Sequence, residues 1–218
     1  MSSDSDPVSA DSSGPHSPDT TKANLALALC TVGFLLTFWA WALMGPLGAT
    51  YKEELGLTSF QQSLVVALPV VVGSLGRIPV GALTDRLGGR TMFPLIAALT
   101  IIPTLFVGFV NNSLIVLLVG GFFLGIGGTS FAVGVPTVNS WFPPHRRGTA
   151  IGIFGAGMGG TAVAAFTTLR IRDAFGEQAP FVLVAVLLAI YAVVARMSLQ
   201  NSPAWAPAHG NWVVKAAT

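Results

Sequence analysis

One arginine stands where an arginine is costly. In "GSLGRIPVGALTDRLGGR", residues 73–90, most charges gather where a long apolar stretch ends, but Arg77 lies well inside it. With Arg86 taken as the mouth of that stretch, Arg77 sits about 13 Å deeper along a helix. That is close to the middle of a hydrocarbon core about 30 Å thick. Its side chain is too short to snorkel to bulk water from there. A central guanidinium costs at least about 2.5–3.5 kcal/mol, so something must offset it. All nine acidic residues lie in the N-terminal tail, in loops or at span ends, so an internal salt bridge is not expected. Two readings stay open. One is a water-filled cavity that attracts anions. The other is a guanidinium tied to backbone carbonyls and to polar side chains such as Ser74 or Asn139. The residue type suits a planar oxyanion, because its forked donors reach two oxygens at once and its charge is permanent.

The helix face around Arg77 carries small or polar groups. Gly73, Ser74, Arg77 and Gly81 recur at i, i+3 and i+4 spacing and are expected to leave room beside the guanidinium. Pro69 and Pro79 remove backbone hydrogen bonds and are expected to bend the helix, an irregularity tolerated where a segment lines a cavity or is covered by protein. Catalysis finds little support. Cys30 is the only cysteine, the three histidines fall outside the apolar spans, and no nucleophile motif or metal-ligand spacing occurs. The chemistry to expect is binding without a cofactor or metal, not bond-making.

The elements that must position Arg77 follow from composition. Only 9% of residues are charged, against roughly 25% in soluble domains. The chain reads as an all-α membrane protein. Six segments are long enough to cross a bilayer, at residues 23–50, 60–83, 91–110, 113–139, 148–169 and 180–199. Residues 1–21 are rich in Ser, Asp and Pro and are expected to form a disordered cytoplasmic tail. The six-helix domain covers 22–199. Residues 200–218 read as a cytoplasmic linker, expected to be truncated. Orientation rests on loop charge: Lys22, Arg86, Arg90, Arg146, Arg147, Arg196 and Lys215 fall on one side, Lys52, Arg170 and Arg172 on the other. The bias places both termini in the cytoplasm.

Glycine is dense in span four (Gly120, Gly121, Gly125, Gly127, Gly128, Gly134) and in span five (Gly148, Gly152, Gly155, Gly157, Gly159, Gly160). Such patterns serve close helix packing; sliding or flexing of the helices during a transport cycle is compatible with it. Phe34, Phe38, Trp39 and Trp41 cluster in span one, and Trp141 with Phe142 ends span four. The first group reads as lipid contact or an interfacial belt, with one ring as an alternative wall of an anion site. The second reads as interfacial.

Two motifs carry a family resemblance. The spacing Gly81-x-x-x-Asp85-Arg86-x-Gly88-x-Arg90 resembles the loop between the second and third helices of the major facilitator superfamily, with Gly88 at the tight turn. More finely, residues 73–90 and "NSWFPPHRRGTAIGIFGAGMGG", residues 139–160, resemble the nitrate/nitrite porters of that superfamily. The resemblance implies a substrate-binding role for Arg77 and a glycine-rich signature at Gly155, Gly157 and Gly159. It also implies a gating role for the 81–90 loop. Where the family often has Asn in that signature, this chain has Met158, so one donor to the anion is missing or supplied elsewhere. The family is built from two six-helix halves, and this chain matches one.

The resemblance therefore implies transport of nitrate and nitrite by alternating access across the cell membrane. The partner implied is a second six-helix half, as a missing C-terminal half, a separate chain or a second copy. Transport of another small anion, and a non-transporting half-transporter, remain alternatives. No acid lies in the apolar spans to relay a proton, which favours anion exchange over proton symport.

Overall fold

A computed structural model describes residues 20–208. Nearly all of the expected tail, together with Lys215, lies outside that range. Within it the regular elements are α1 (Thr20–Ala42), α2 (Met44–Leu55), α3 (Ser59–Leu87), α4 (Gly89–Phe109), α5 (Leu114–Leu124), α6 (Ser130–Trp141), α7 (Pro144–Gly155), α8 (Gly160–Phe175) and α9 (Ala179–Ser198). Short 3-10 segments, Gly125–Thr129 and Ala156–Gly159, join α5 to α6 and α7 to α8. These make six rods of membrane-crossing length: Thr20–Leu55, Ser59–Leu87, Gly89–Phe109, Leu114–Trp141, Pro144–Phe175 and Ala179–Ser198. They correspond in order to the six expected spans.

Local chemistry sets the ends. Thr58 and Gln61 form a reciprocal capping box that starts α3, satisfying two backbone donors that a helix start leaves orphaned. Gly88 ends α3 with φ 75°, a backbone region that glycine enters without steric cost, and α4 begins at once. Pro143 and Pro144 start α7, where a missing N–H costs nothing.

α3 runs as one helix through Pro69 and Pro79, whereas spans four and five are interrupted at their glycine clusters and span one is interrupted at Leu43. Trp41 donates its indole N–H to the Pro69 carbonyl at 2.9 Å, tying span one to span two.

Between lipid-bathed helices, packing rather than water expulsion drives association, and the glycines serve it here. A Cβ on Gly73 would meet the Gly125 carbonyl at 2.9 Å and the Gly128 Cα at 3.3 Å. One on Gly127 would meet the Thr37 carbonyl at 2.9 Å. Thr37 also donates to the Ser130 hydroxyl at 2.7 Å. Spans one, two and four thus approach backbone to backbone. The phenylalanines of span one behave differently from expectation. Phe34 and Phe38 are buried in the core instead of meeting lipid, and Trp141 and Phe142, at the end of span four, are also buried against protein. Glycines opposite them explain part of this. Gly134 faces the Phe154 ring and Gly157 faces Phe34, so missing side chains there leave space for rings.

Candidate anion site at Arg77

Arg77 projects from α3 toward the 3-10 break of span four. Its Nε donates to the Gly128 carbonyl at 3.3 Å. Its guanidinium lies over the Phe131 ring, 5.3 Å from the centroid. Phe131 neighbours Phe34 at 5.7 Å and Phe154 at 6.1 Å, and Phe34 stacks on Phe154 at 4.7 Å. Spans one, four and five therefore build an aromatic floor, and span two lays a cation on it. Such a contact contributes about 0.5–2 kcal/mol, more as water is excluded.

The backbone-carbonyl reading of the arginine finds a part in this geometry, without Ser74 or Asn139. One nitrogen is held by a backbone carbonyl, and among the described residues no acid pairs with the group. Its terminal nitrogens make no hydrogen bond within the described residues. Arg77 is half-buried, and α3 belongs to the least buried of the six rods. The side chain is oriented by one bond and one ring while its paired outer donors remain available. A fork presented this way can take two oxygens of a planar anion.

The other expected residues separate. Ser74 is exposed one turn from Arg77. Gly73 does not leave empty space beside the guanidinium: it is buried against the 3-10 break, with the Trp41 indole nitrogen 3.3 Å from its Cβ position. Gly81 is open, with nothing within 4 Å of its Cβ position. Asn139 lies two helical turns beyond Phe131, about 12 Å along the axis, and its carbonyl accepts the Arg147 Nε–H at 3.1 Å. Gly157 packs on Phe34, whereas Gly155 and Gly159 meet nothing within 4 Å. Together with Gly148 and Gly152, which are also open, they form one edge of span five at i, i+4, i+7 and i+11. Sequence reasoning missed Phe131 and the Gly128 carbonyl. Both belong to span four, and nothing in a linear reading aligns span four with Arg77.

A family model described as Major Facilitator Superfamily matches residues 30–216. The chain belongs to the major facilitator superfamily. This family comprises membrane transporters, not enzymes, and the chain is a multi-pass membrane protein of that class. A protein named probable nitrate/nitrite transporter NarK2, from Mycobacterium tuberculosis (strain ATCC 25618 / H37Rv), is 46% identical over 187 residues, 85% of this chain and 47% of its own length. A protein named nitrite extrusion protein, from Bacillus subtilis (strain 168), is 36% identical over 173 residues, 79% of this chain and 44% of its own. The fold resembles a solved bacterial homolog of the human lysosomal transporter Spinster, inward-facing and unoccupied. The TM-score is 0.76 at 18% identity, over 92% of this chain and 48% of that one. The chain thus spans about half the length of the relatives it matches.

The superfamily's loop motif is held by the start of the segment expected to be a cytoplasmic linker. After α9, the Asn201 side-chain oxygen accepts the Arg90 backbone N–H at 3.0 Å. A Cβ on Gly88 would collide with the Asn201 amide. The Ser202 hydroxyl donates to the Ser140 carbonyl at 2.6 Å, and the Ala208 N–H donates to the Asp85 carbonyl at 3.1 Å. Gly88 offers no side-chain cap to α4, so Asn201 supplies one from across the bundle. At the opposite end, Arg172 pairs with Glu54 and, at 3.2 Å, with Glu177. That joins spans one and five to the loop before α9.

Proposed function

We propose that this chain forms half of a porter that moves nitrate or nitrite across the cytoplasmic membrane by alternating access, with Arg77 binding the anion. The observation that carries this reading is the oriented guanidinium: half-buried on a membrane-crossing helix, held at Nε and over one ring, and unpaired by any acid among the described residues. Nitrate is flat and singly charged, so two of its oxygens can meet two parallel N–H donors. The names carried by relatives at 36–46% identity point the same way.

Half of a porter leaves Arg77 facing lipid, and substrates of such transporters bind between repeats near the midplane. A second six-helix unit therefore covers α3 and the open edge of span five, completing the cavity. Ser74 lies on the substrate side of that cavity, and Gly155 and Gly159 let the units approach and move. Gly73 and Gly157 act indirectly: Gly73 lets spans two and four close, and Gly157 lets spans one and five close, around the aromatic floor. Asn139, near the basic end of span four, lines the path from the midplane rather than the binding point. The 81–90 loop serves as the gate at that end. Both termini lie in the cytoplasm, as loop charge favours, and exchange of anions is the coupling mode that the acid-free apolar spans favour.

Flux of nitrate and nitrite into proteoliposomes containing this chain with a complementary six-helix half tests the reading. Arg77→Lys keeps the charge but loses the fork, and flux is expected to fall at least tenfold. Equal flux in this variant removes Arg77 from the mechanism. Flux of other small anions but not nitrate transfers the site to a different substrate, and absence of any flux makes the chain a non-transporting partner.

A further inference from the structure

We propose that the groove between α4 and α9 binds one anionic phospholipid of the surrounding bilayer, with its phosphate on Arg196 and part of an acyl chain along the trough. The groove has a volume of about 490 Å³. Ala98 and Ala192 leave it open because neither fills the space between the two helices, and Pro94 lies along it. Thr91 and Arg196 stand together at one mouth, at the start of α4 and the end of α9. Met197 forms an exposed apolar rim.

Three features select the occupant. The first is charge. No acid lines the groove, and among the described residues Arg196 has no ion-pair or hydrogen-bond partner. A phosphodiester presents two oxygens to a guanidinium fork, and basic pockets between membrane helices suit anionic head groups. The second is shape. Thr91 and Ala98 are two helical turns apart, so the trough is about 10 Å long. It is open along its outer side, and its wall between Thr91 and Arg196 is apolar: Pro94, Leu95, Ala98, Ala192 and Val193. An apolar trough with one basic mouth matches an acyl chain lying below an anionic head group. The third is position. Arg77 and the open glycine edge lie on α3 and span five, not on α4 or α9, so the face proposed to meet a second half is separate from this groove.

Native mass spectrometry of the full-length chain in neutral detergent, titrated with phosphatidylglycerol or phosphatidylcholine of matched chain length, tests this. The wild type is expected to retain phosphatidylglycerol about fivefold more tightly, the worth of one basic group near an anionic lipid. Arg196→Gln reduces that preference to about one. Arg146→Gln, at the same end of the bundle but outside the groove, keeps it. Ala98→Phe fills the trough and weakens retention of both lipids. Equal retention of the two lipids by the wild type overturns the proposal, as does an unchanged preference in Arg196→Gln. Full retention in Ala98→Phe also overturns it.

Discussion

Glycines with the same spacing on one helix do opposite things, and only their neighbours tell them apart. Gly73 and Gly81 both lie on the Arg77 side of α3. Gly73 is closed by the Gly125 carbonyl and the Gly128 Cα, while Gly81 faces open space. Gly73→Val is therefore expected to force span four away, costing about 1–3 kcal/mol. In a chain of this size that lowers the apparent melting temperature by about 2–10 °C. Gly81→Ala is expected to leave it unchanged or raise it slightly, since Ala favours a helix by about 1 kcal/mol over Gly. Thermal unfolding of both variants in detergent checks the contrast, and equal losses contradict it. The same logic applies to Arg77. Its type and its place inside an apolar stretch were readable from residues 73–90, but the carbonyl and ring that orient it were not. Gly128 and Phe131 lie more than fifty residues away in the chain.

At the scale of elements, the start of α4 depends on a residue that follows α9. Asn201 caps the Arg90 amide, a contribution of about 1 kcal/mol for an N-cap side chain. In Asn201→Ala, hydrogen exchange at the Arg90 amide is expected to speed up about fivefold, the equivalent of that energy at 25 °C. Exchange inside α9 is expected to stay unchanged. An unaltered rate at Arg90 shows that the strap does not hold the loop. The interruptions in the spans teach a related lesson. Proline lacks a backbone donor, yet α3 continues as one helix through Pro69 and Pro79. In spans four and five the breaks fall at glycine clusters, where 3-10 geometry brings Gly125–Thr129 against α3 and Ala156–Gly159 against α1. The need for close approach, more than the local backbone preference, determines where a span is interrupted.

At the scale of the whole molecule, span five offers two edges. Gly157 and Gly160 are closed by span one, through the Phe34 ring and the Leu35 carbonyl, whereas Gly148, Gly152, Gly155 and Gly159 are open. On the proposed two-half architecture the open edge meets the second unit. Gly152→Leu is expected to leave the melting temperature of the isolated chain within about 2 °C, because the new side chain touches nothing in it. It is also expected to reduce co-purification with a complementary six-helix half by about tenfold, since a bulky group blocks small-residue packing. Undiminished co-purification refutes that placement. Arg172, paired with two partly exposed acids, is a weaker element. Arg172→Gln is expected to cost at most about 1 kcal/mol, and less as salt rises.

The sequence by itself determined the class, the number of spans and their order along the chain. Those properties depend on composition, on runs of about twenty apolar residues and on rise per residue, which are all local quantities. The loop motif, too, was legible, because a positive-φ turn demands glycine at Gly88 wherever the rest of the chain goes. Only the tertiary structure decided which glycines face protein and which face open space, which aromatic ring lies beneath Arg77, and that the segment after α9 returns to cap α4. These are contacts between residues distant in the chain. In a membrane nearly every residue of a span is apolar, so periodicity carries little information about which face turns inward, and packing alone makes that choice.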